Sequence, residues 1–187
     1  MRQAHLIISK LPSGSLIKGM RLEAESWLVT LLGAIPGFIG MILRNLIYKK
    51  LFKKLEGFSL IQNRVIFVNT DQLTVGKFFG CNSGTYINAL GGIKIGDHVL
   101  IGNNVTISSG KHEIDSLELP IIAEPTTPRG ITIEDGVWIG AGAVVMPGVV
   151  LRRGSVVGAN AVVTRDTQEF SVNVGVPAIK IRTRKAK

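Results

Sequence analysis

The stretch IGNNVTISSGKHEID, residues 101–115, sets an imidazole at His112 beside carboxylates at Glu113 and Asp115. A neutral imidazole titrates near pH ~6.5, which suits a general base that takes a proton from a hydroxyl as it attacks. Glu113 or Asp115 could orient the ring, although side chains adjacent in sequence need not face it. The other histidines have plainer settings: His98 falls in the polar turn GDHV and His5 in an irregular N-terminal stretch. Three histidines, one of them remote from the others, do not suit a zinc centre built from three imidazoles, so no metal is expected. The single cysteine, Cys81, excludes an internal disulfide and fits a cytosolic setting.

The elements that must position His112 show themselves as a repeat. Ile133, Ile139, Val145, Leu151, Val157 and Val163 are spaced by six, and the residues four further on are all small or β-branched. The frame holds upstream at Ile95, Ile101 and Ile107, and more loosely at Val75, Cys81 and Ile87. Period six fits neither the 3.6 of a helix nor the strict alternation of a two-layer sheet, but it fits a parallel β-helix. Three hexads then close a coil of about 18 residues, and coils stack about 4.8 Å apart. Cys81 falls at a repeat start, so it is expected to point inward as a small apolar residue. The polar segment KHEIDSLELPIIAEPTTPRG cannot enter such a coil, so residues 112–130 are expected to loop out before the repeat resumes at Ile131.

The segments IGDHVLIGNNVTI and VWIGAGAVVMPGVVLRRGSVVGANAVVTRD, with the terminal GVPA, closely resemble the hexapeptide-repeat acyltransferases. Within them the likeness is to sugar O-acetyltransferases of the galactoside, maltose and nodulation type. The resemblance implies an all-β fold, a left-handed parallel β-helix, assembled as a homotrimer. It implies acetyl-CoA as acetyl donor, His112 as the catalytic base and the backbone N–H of Ala141 as the oxyanion donor. It further places Trp138, Gly140, Ala141, Ala159, Thr164, Arg165 and Arg182 along the acetyl-CoA groove, and Asn82 against the acceptor. Leu90 stands where the family has an acidic residue, so the small-sugar specificity does not transfer.

The N-terminal third differs from that family. Residues 1–60 hold nine basic and three acidic side chains, 9 − 3 = +6 of the net +9. Ser26 to Leu43 carries no charge over eighteen residues, close to the lower limit for a spanning helix, but Pro36 interrupts it. The run starts late, follows Glu23 and Glu25 and lacks a cleavage site, which argues against a secretory signal. From Met41 to Leu55, aliphatics at helical spacing alternate with Arg44, Lys49, Lys50, Lys53 and Lys54. That pattern predicts a basic amphipathic helix suited to an anionic membrane surface, with packing on the domain as the alternative. Nucleic acid is not expected, because no stacking aromatics or binding motif accompany the charge.

The sequence therefore divides into a helical, membrane-associating segment (1–60) and a β-helix acetyltransferase domain (61–187). The expected activity is O-acetylation of a sugar or lipid-linked saccharide during capsule or O-antigen assembly, at the cytoplasmic membrane face. N-acetylation of a nucleotide-linked amino sugar is the alternative, and a non-catalytic β-helical scaffold is a more distant one.

Overall fold

The computed structural model describes residues 16–185, so His5 lies outside the described residues. Three parallel sheets form the sides of a prism. The first sheet contains Lys54–Leu55, Leu73–Val75, Ile93–Ile95, Ile131–Ile133 and Val150–Leu151. The second runs from Leu60–Ile61 through Trp138–Ile139 to Ser171–Val174, and the third from Ile66–Val68 to Val162–Val163. From Lys54–Leu55 to Val162–Val163, apart from the two strands of a separate antiparallel pair, consecutive strands fall on successive sheets, the architecture expected of a hexapeptide coil. Ser171–Val174 then returns to the second sheet, and Ile179–Thr183 pairs antiparallel beside it. Every aliphatic of the six-residue frame is buried, from Ile95 through Val163, as is Cys81. Burial raises the Cys81 thiol well above its ordinary pKa and leaves it an inert packing group.

Two features differ from the sequence expectation. The coil begins at Lys54–Leu55, upstream of the boundary at 61, and an additional coil of Leu55, Ile61 and Phe67 precedes the recognisable repeats. Coil length also changes along the chain. Leu55 pairs with Val75 and Val75 with Ile95, 20 residues per coil, whereas Ile133 pairs with Leu151, 151 − 133 = 18. The two extra residues always fall at the corner between the third and first sheets, between Phe67 and Val75 and between Ile87 and Ile95. The long excursion after Ile107 leaves from this same corner one coil later.

Helix α1 (Leu16–Ala34) and helix α2 (Gly37–Leu51) meet at Pro36, whose extended ψ of 172° ends the first helix path and starts the second. Among the described residues no helix is long and apolar enough to cross a membrane. Helix α1 lies along the third sheet's first strand, and α2 crosses the N-terminal end of the prism. There the outermost strand would otherwise present unpaired backbone groups. Asn45 takes up the N–H and C=O of Ser59, and Arg44 donates Nε to the carbonyl of Ile61 at 2.8 Å. The Arg44 Nη1 group also reaches the carbonyls of Leu32 and Ile35 at 2.9 and 2.7 Å. Tyr48, Phe52 and Phe67 form an aromatic cluster beneath, with ring centroids 4.9–5.2 Å apart.

This corrects the expected helix from Met41 to Leu55. It ends at Leu51, Arg44 is an inward residue 1 % exposed, and Phe52 and Leu55 enter the core. Burial lowers the Arg44 pKa, yet the guanidinium keeps its proton because its normal value is so high.

Candidate active site

Where the chain leaves the coil, backbone and side-chain bonds pin its root. Ser109 N bonds to the carbonyl of Asn88 (3.0 Å), and the Ser109 hydroxyl accepts from Gly91 N (2.8 Å). The returning chain closes the root through Arg129 N to Ser109 O (2.7 Å) and Ile131 N to Gly92 O (3.1 Å). Gly91 is required there, because a Cβ would stand 2.5 Å from both Arg129 N and Ser109 O.

Beyond this root the excursion is an arm with regular structure. Gly110–His112 pairs antiparallel with Thr126–Pro128, His112 directly opposite Thr126. The imidazole is exposed, and its Nδ1 lies 3.2 Å from the Thr126 hydroxyl. Adjacent residues of a strand point to opposite faces. Glu113 is turned toward Thr127, Lys111 and Arg129, and the Thr127 hydroxyl foremost holds its carboxyl below the usual range. Thr126, not an acidic neighbour, is therefore the ring's partner. Leu90 stands on the His112 side of the arm: a Cβ on Gly110, two residues before the histidine, would meet Leu90 Cδ2 at 2.9 Å and Thr126 Cγ2 at 3.3 Å.

The remaining candidates divide by position on the prism. Thr164 and Arg165 lie at the corner that carries the arm, two coils further along. Asn82, Gly140, Ala141 and Ala159 lie at the corner between the second and third sheets. There Gly140 to Ala143 form a turn closed by Ala143 N to Gly140 O at 3.3 Å, with Gly142 at φ +70°. Ala141 is the turn's exposed second residue, and among the described residues its N–H makes no hydrogen bond. Ala159 sits directly below, and a Cβ on Gly140 would come within 2.6 Å of Ala159 N. Trp138 and Arg182 come together on the outer face of the second sheet. They line a groove of about 430 Å³ with Gly136, Val156, Val172 and Arg184.

The structure thus spreads the candidates over two corners and the outer face of the second sheet. His112 with Leu90 stands at one corner, Ala141 with Asn82 at the other, and the third sheet lies between. The strand path from one corner to the other spans about five residues, roughly 16 Å at the extended rise. Thr126 is the residue that sequence inspection missed. Only the antiparallel register of the arm brings it to His112, and the β-branched pair Thr126–Thr127 was the available hint. Among the described residues no cluster of His, Cys, Asp or Glu could hold a metal.

Comparison with known proteins places this architecture. A family described as "Bacterial transferase hexapeptide (six repeats)" matches residues 130–165, and "Hexapeptide repeat of succinyl-transferase" matches residues 75–109. The chain is 41% identical over 106 residues to a putative acetyltransferase of Schizosaccharomyces pombe, an alignment covering 57% of this chain and 50% of the yeast protein. It is 34% identical over 139 residues to the galactoside O-acetyltransferase of Escherichia coli, covering 74% of this chain and 68% of that protein. A crystal structure of a hexapeptide-repeat acetyltransferase from Vibrio cholerae, complexed with acetyl coenzyme A, superposes with a TM-score of 0.78 at 26% identity, over 93% of this chain and 92% of that one. Repeat, coil and sequence agree, and the chain belongs to the hexapeptide-repeat acyltransferase family.

Proposed function

We propose that this protein is an acetyl-CoA-dependent sugar O-acetyltransferase acting as a homotrimer, with each active site shared by two protomers. The observation that carries this is the separation of His112 from Ala141 on different corners of one prism. A base and an oxyanion donor that serve one reaction must lie within a few ångströms of the same carbonyl carbon. One prism cannot satisfy that, but a neighbouring prism that sets its Ala141 corner against the arm can. The likeness to a galactoside O-acetyltransferase and to an acetyl-CoA complex supports the donor and the acceptor class.

In this arrangement the Nδ1–H of His112 donates to the Thr126 hydroxyl, which leaves Nε2 unprotonated and facing the acceptor. Nε2 takes the proton of a sugar hydroxyl as its oxygen attacks the thioester carbonyl. The N–H of Ala141 from the adjacent protomer stabilises the tetrahedral oxyanion. The imidazolium then returns its proton to the departing CoA sulfur, so no acetyl-enzyme forms and the catalytic groups end unchanged. Trp138 and Arg182 line the groove that holds the pantetheine and nucleotide portion, with Ala159 at the neighbouring corner and Thr164 and Arg165 brought to it by the arm-bearing corner of the adjacent protomer. Leu90 makes the acceptor side apolar where small-sugar enzymes carry an acid. That change fits a saccharide joined to a lipid or a longer glycan, as in capsule or O-antigen assembly at the cytoplasmic membrane face.

The test is transfer of radiolabelled acetyl from acetyl-CoA to saccharides bearing free hydroxyls and, separately, to amino sugars. The expected product is an ester, released by mild base. A base-stable amide formed on amino sugars alone would replace this activity with N-acetylation.

A further inference from the structure

Helix α2 has its faces reversed relative to an ordinary surface helix. The residues turned to the prism are Gly40, Arg44, Asn45 and Tyr48, of which Arg44 and Asn45 are polar and hydrogen-bonded to backbone there. The opposite side carries Ile39, Ile42 and Leu46 at 71 %, 37 % and 58 % exposure, at i, i+3 and i+7 along one stripe. Exposed Lys49 and Lys50 flank the end of that stripe in the last turn. A single exposed aliphatic means little, but a continuous apolar stripe marks an interaction surface.

Its direction follows from the bonds beneath it. Leu60 N and Gln62 N bond toward the second coil, to Phe79 O and Cys81 O, so the Ile61 carbonyl held by Arg44 points out of the open end. The stripe, on the far side of the helix from Arg44, therefore faces outward beyond that end. The groups proposed for the active site lie on the flanks of the prism. A trimer built through flanks leaves the ends uncovered, and threefold symmetry turns three identical end faces to one side.

We propose that the outer face of α2 is a docking surface for an anionic lipid bilayer. The helix lies in the interfacial plane with Ile39, Ile42 and Leu46 inserted and Lys49 and Lys50 at the headgroups. Charge decides between the possible occupants. Two copies meeting end to end would oppose their own lysines, whereas an anionic leaflet complements them. The helix is too short and too weakly apolar to span. Docking does not depend on the acetyltransferase reading, which contributes only the threefold presentation that multiplies a weak contact.

The experiment is co-sedimentation of the full chain with vesicles of phosphatidylcholine alone or with about one-third phosphatidylglycerol, a composition that gives a negative surface potential. The wild type should partition onto the anionic vesicles and come off as salt rises. The K49Q/K50Q variant should bind about 25-fold less well, since roughly 1 kcal/mol per basic residue is about fivefold each. The I42Q/L46Q variant should lose vesicle binding while keeping its light-scattering mass and its acetyl transfer to a soluble acceptor. Equal pelleting of wild type and both variants, or no preference for anionic vesicles, overturns the proposal. If I42Q/L46Q lowers the oligomeric mass, the face is instead a contact between copies. Because binding is read without turnover, inactivity toward sugars leaves this result standing.

Discussion

The Nδ1 of His112 and the hydroxyl of Thr126 lie 3.2 Å apart, directly opposite each other across the two strands of the arm. That register lets the geometry of the chain set the tautomer of the proposed base. In the proposed mechanism Nδ1–H donates and Nε2 is the acceptor, and rotating the ring would lose the bond. Replacing Thr126 with Val should therefore lower kcat by about 2- to 10-fold, the worth of one neutral hydrogen bond, with KM for acetyl-CoA unchanged. Thr126→Ser should restore most of the loss and return the pH–rate profile toward wild type. Equal kinetics for Val and Thr would show that the ring is oriented by another group.

Removing the proposed base itself should cost far more. His112→Ala is expected to reduce kcat by about 10²- to 10⁴-fold, the usual range for positioned acid–base catalysis. His112→Asn should be as poor, because it keeps polarity without basicity. The imidazole is exposed and packs in no core, so calorimetric acetyl-CoA affinity and oligomeric mass should stay at wild-type values.

The shared site of the proposed homotrimer predicts complementation. Ala141 is the second residue of a turn whose third residue, Gly142, has φ +70°, a position where proline fits and removes the N–H. Ala141→Pro trimers and His112→Ala trimers should each be nearly inactive. Trimers co-assembled from the two chains should regain turnover, because some interfaces then pair an intact His112 with an intact Ala141. Activity that stays flat across all mixing ratios would place both groups in one protomer.

Gly140 allows neighbouring coils to approach at the donor corner. Gly140→Ala puts a methyl 2.6 Å from Ala159 N, so backbone must shift. Overpacking of this kind costs about 1–3 kcal/mol, which urea titration should report as an earlier midpoint. The same shift displaces the Ala141 N–H, so kcat should fall more than acetyl-CoA affinity does.

At the capped end, Arg44→Met should destabilise the fold by at least about 2 kcal/mol. It strips the donor from the carbonyls of Ile61 and Ile35, each costing about 1–3 kcal/mol when left unmet, while the Leu32 carbonyl keeps the Ile35 N–H at 3.3 Å. Arg44→Lys should recover only part of this, since an ammonium lacks the planar fork that spans three acceptors. Equilibrium unfolding in urea measures both.

The sequence by itself determined the coil and the point where the chain leaves it. Inward positions of a β-helix must be apolar in every rung, so Ile95 to Val163 announce themselves at period six and all are buried. A polar run that cannot enter such a coil has to project, which singled out His112 before any coordinates. Tertiary structure decided what local pattern could not. Thr126 reaches His112 only because the arm's two strands pair across fourteen residues, and Ala141 stands at a different corner only because three sheets close a prism. Helix α2 shows the reason most directly. Its pattern of aliphatics and basic residues favoured an aliphatic face turned to an apolar partner and Arg44 on the polar side with the lysines. The open end of the coil instead presents backbone groups of Ser59 and Ile61 that need polar partners, so the helix turns its polar side inward and leaves Ile39, Ile42 and Leu46 outside.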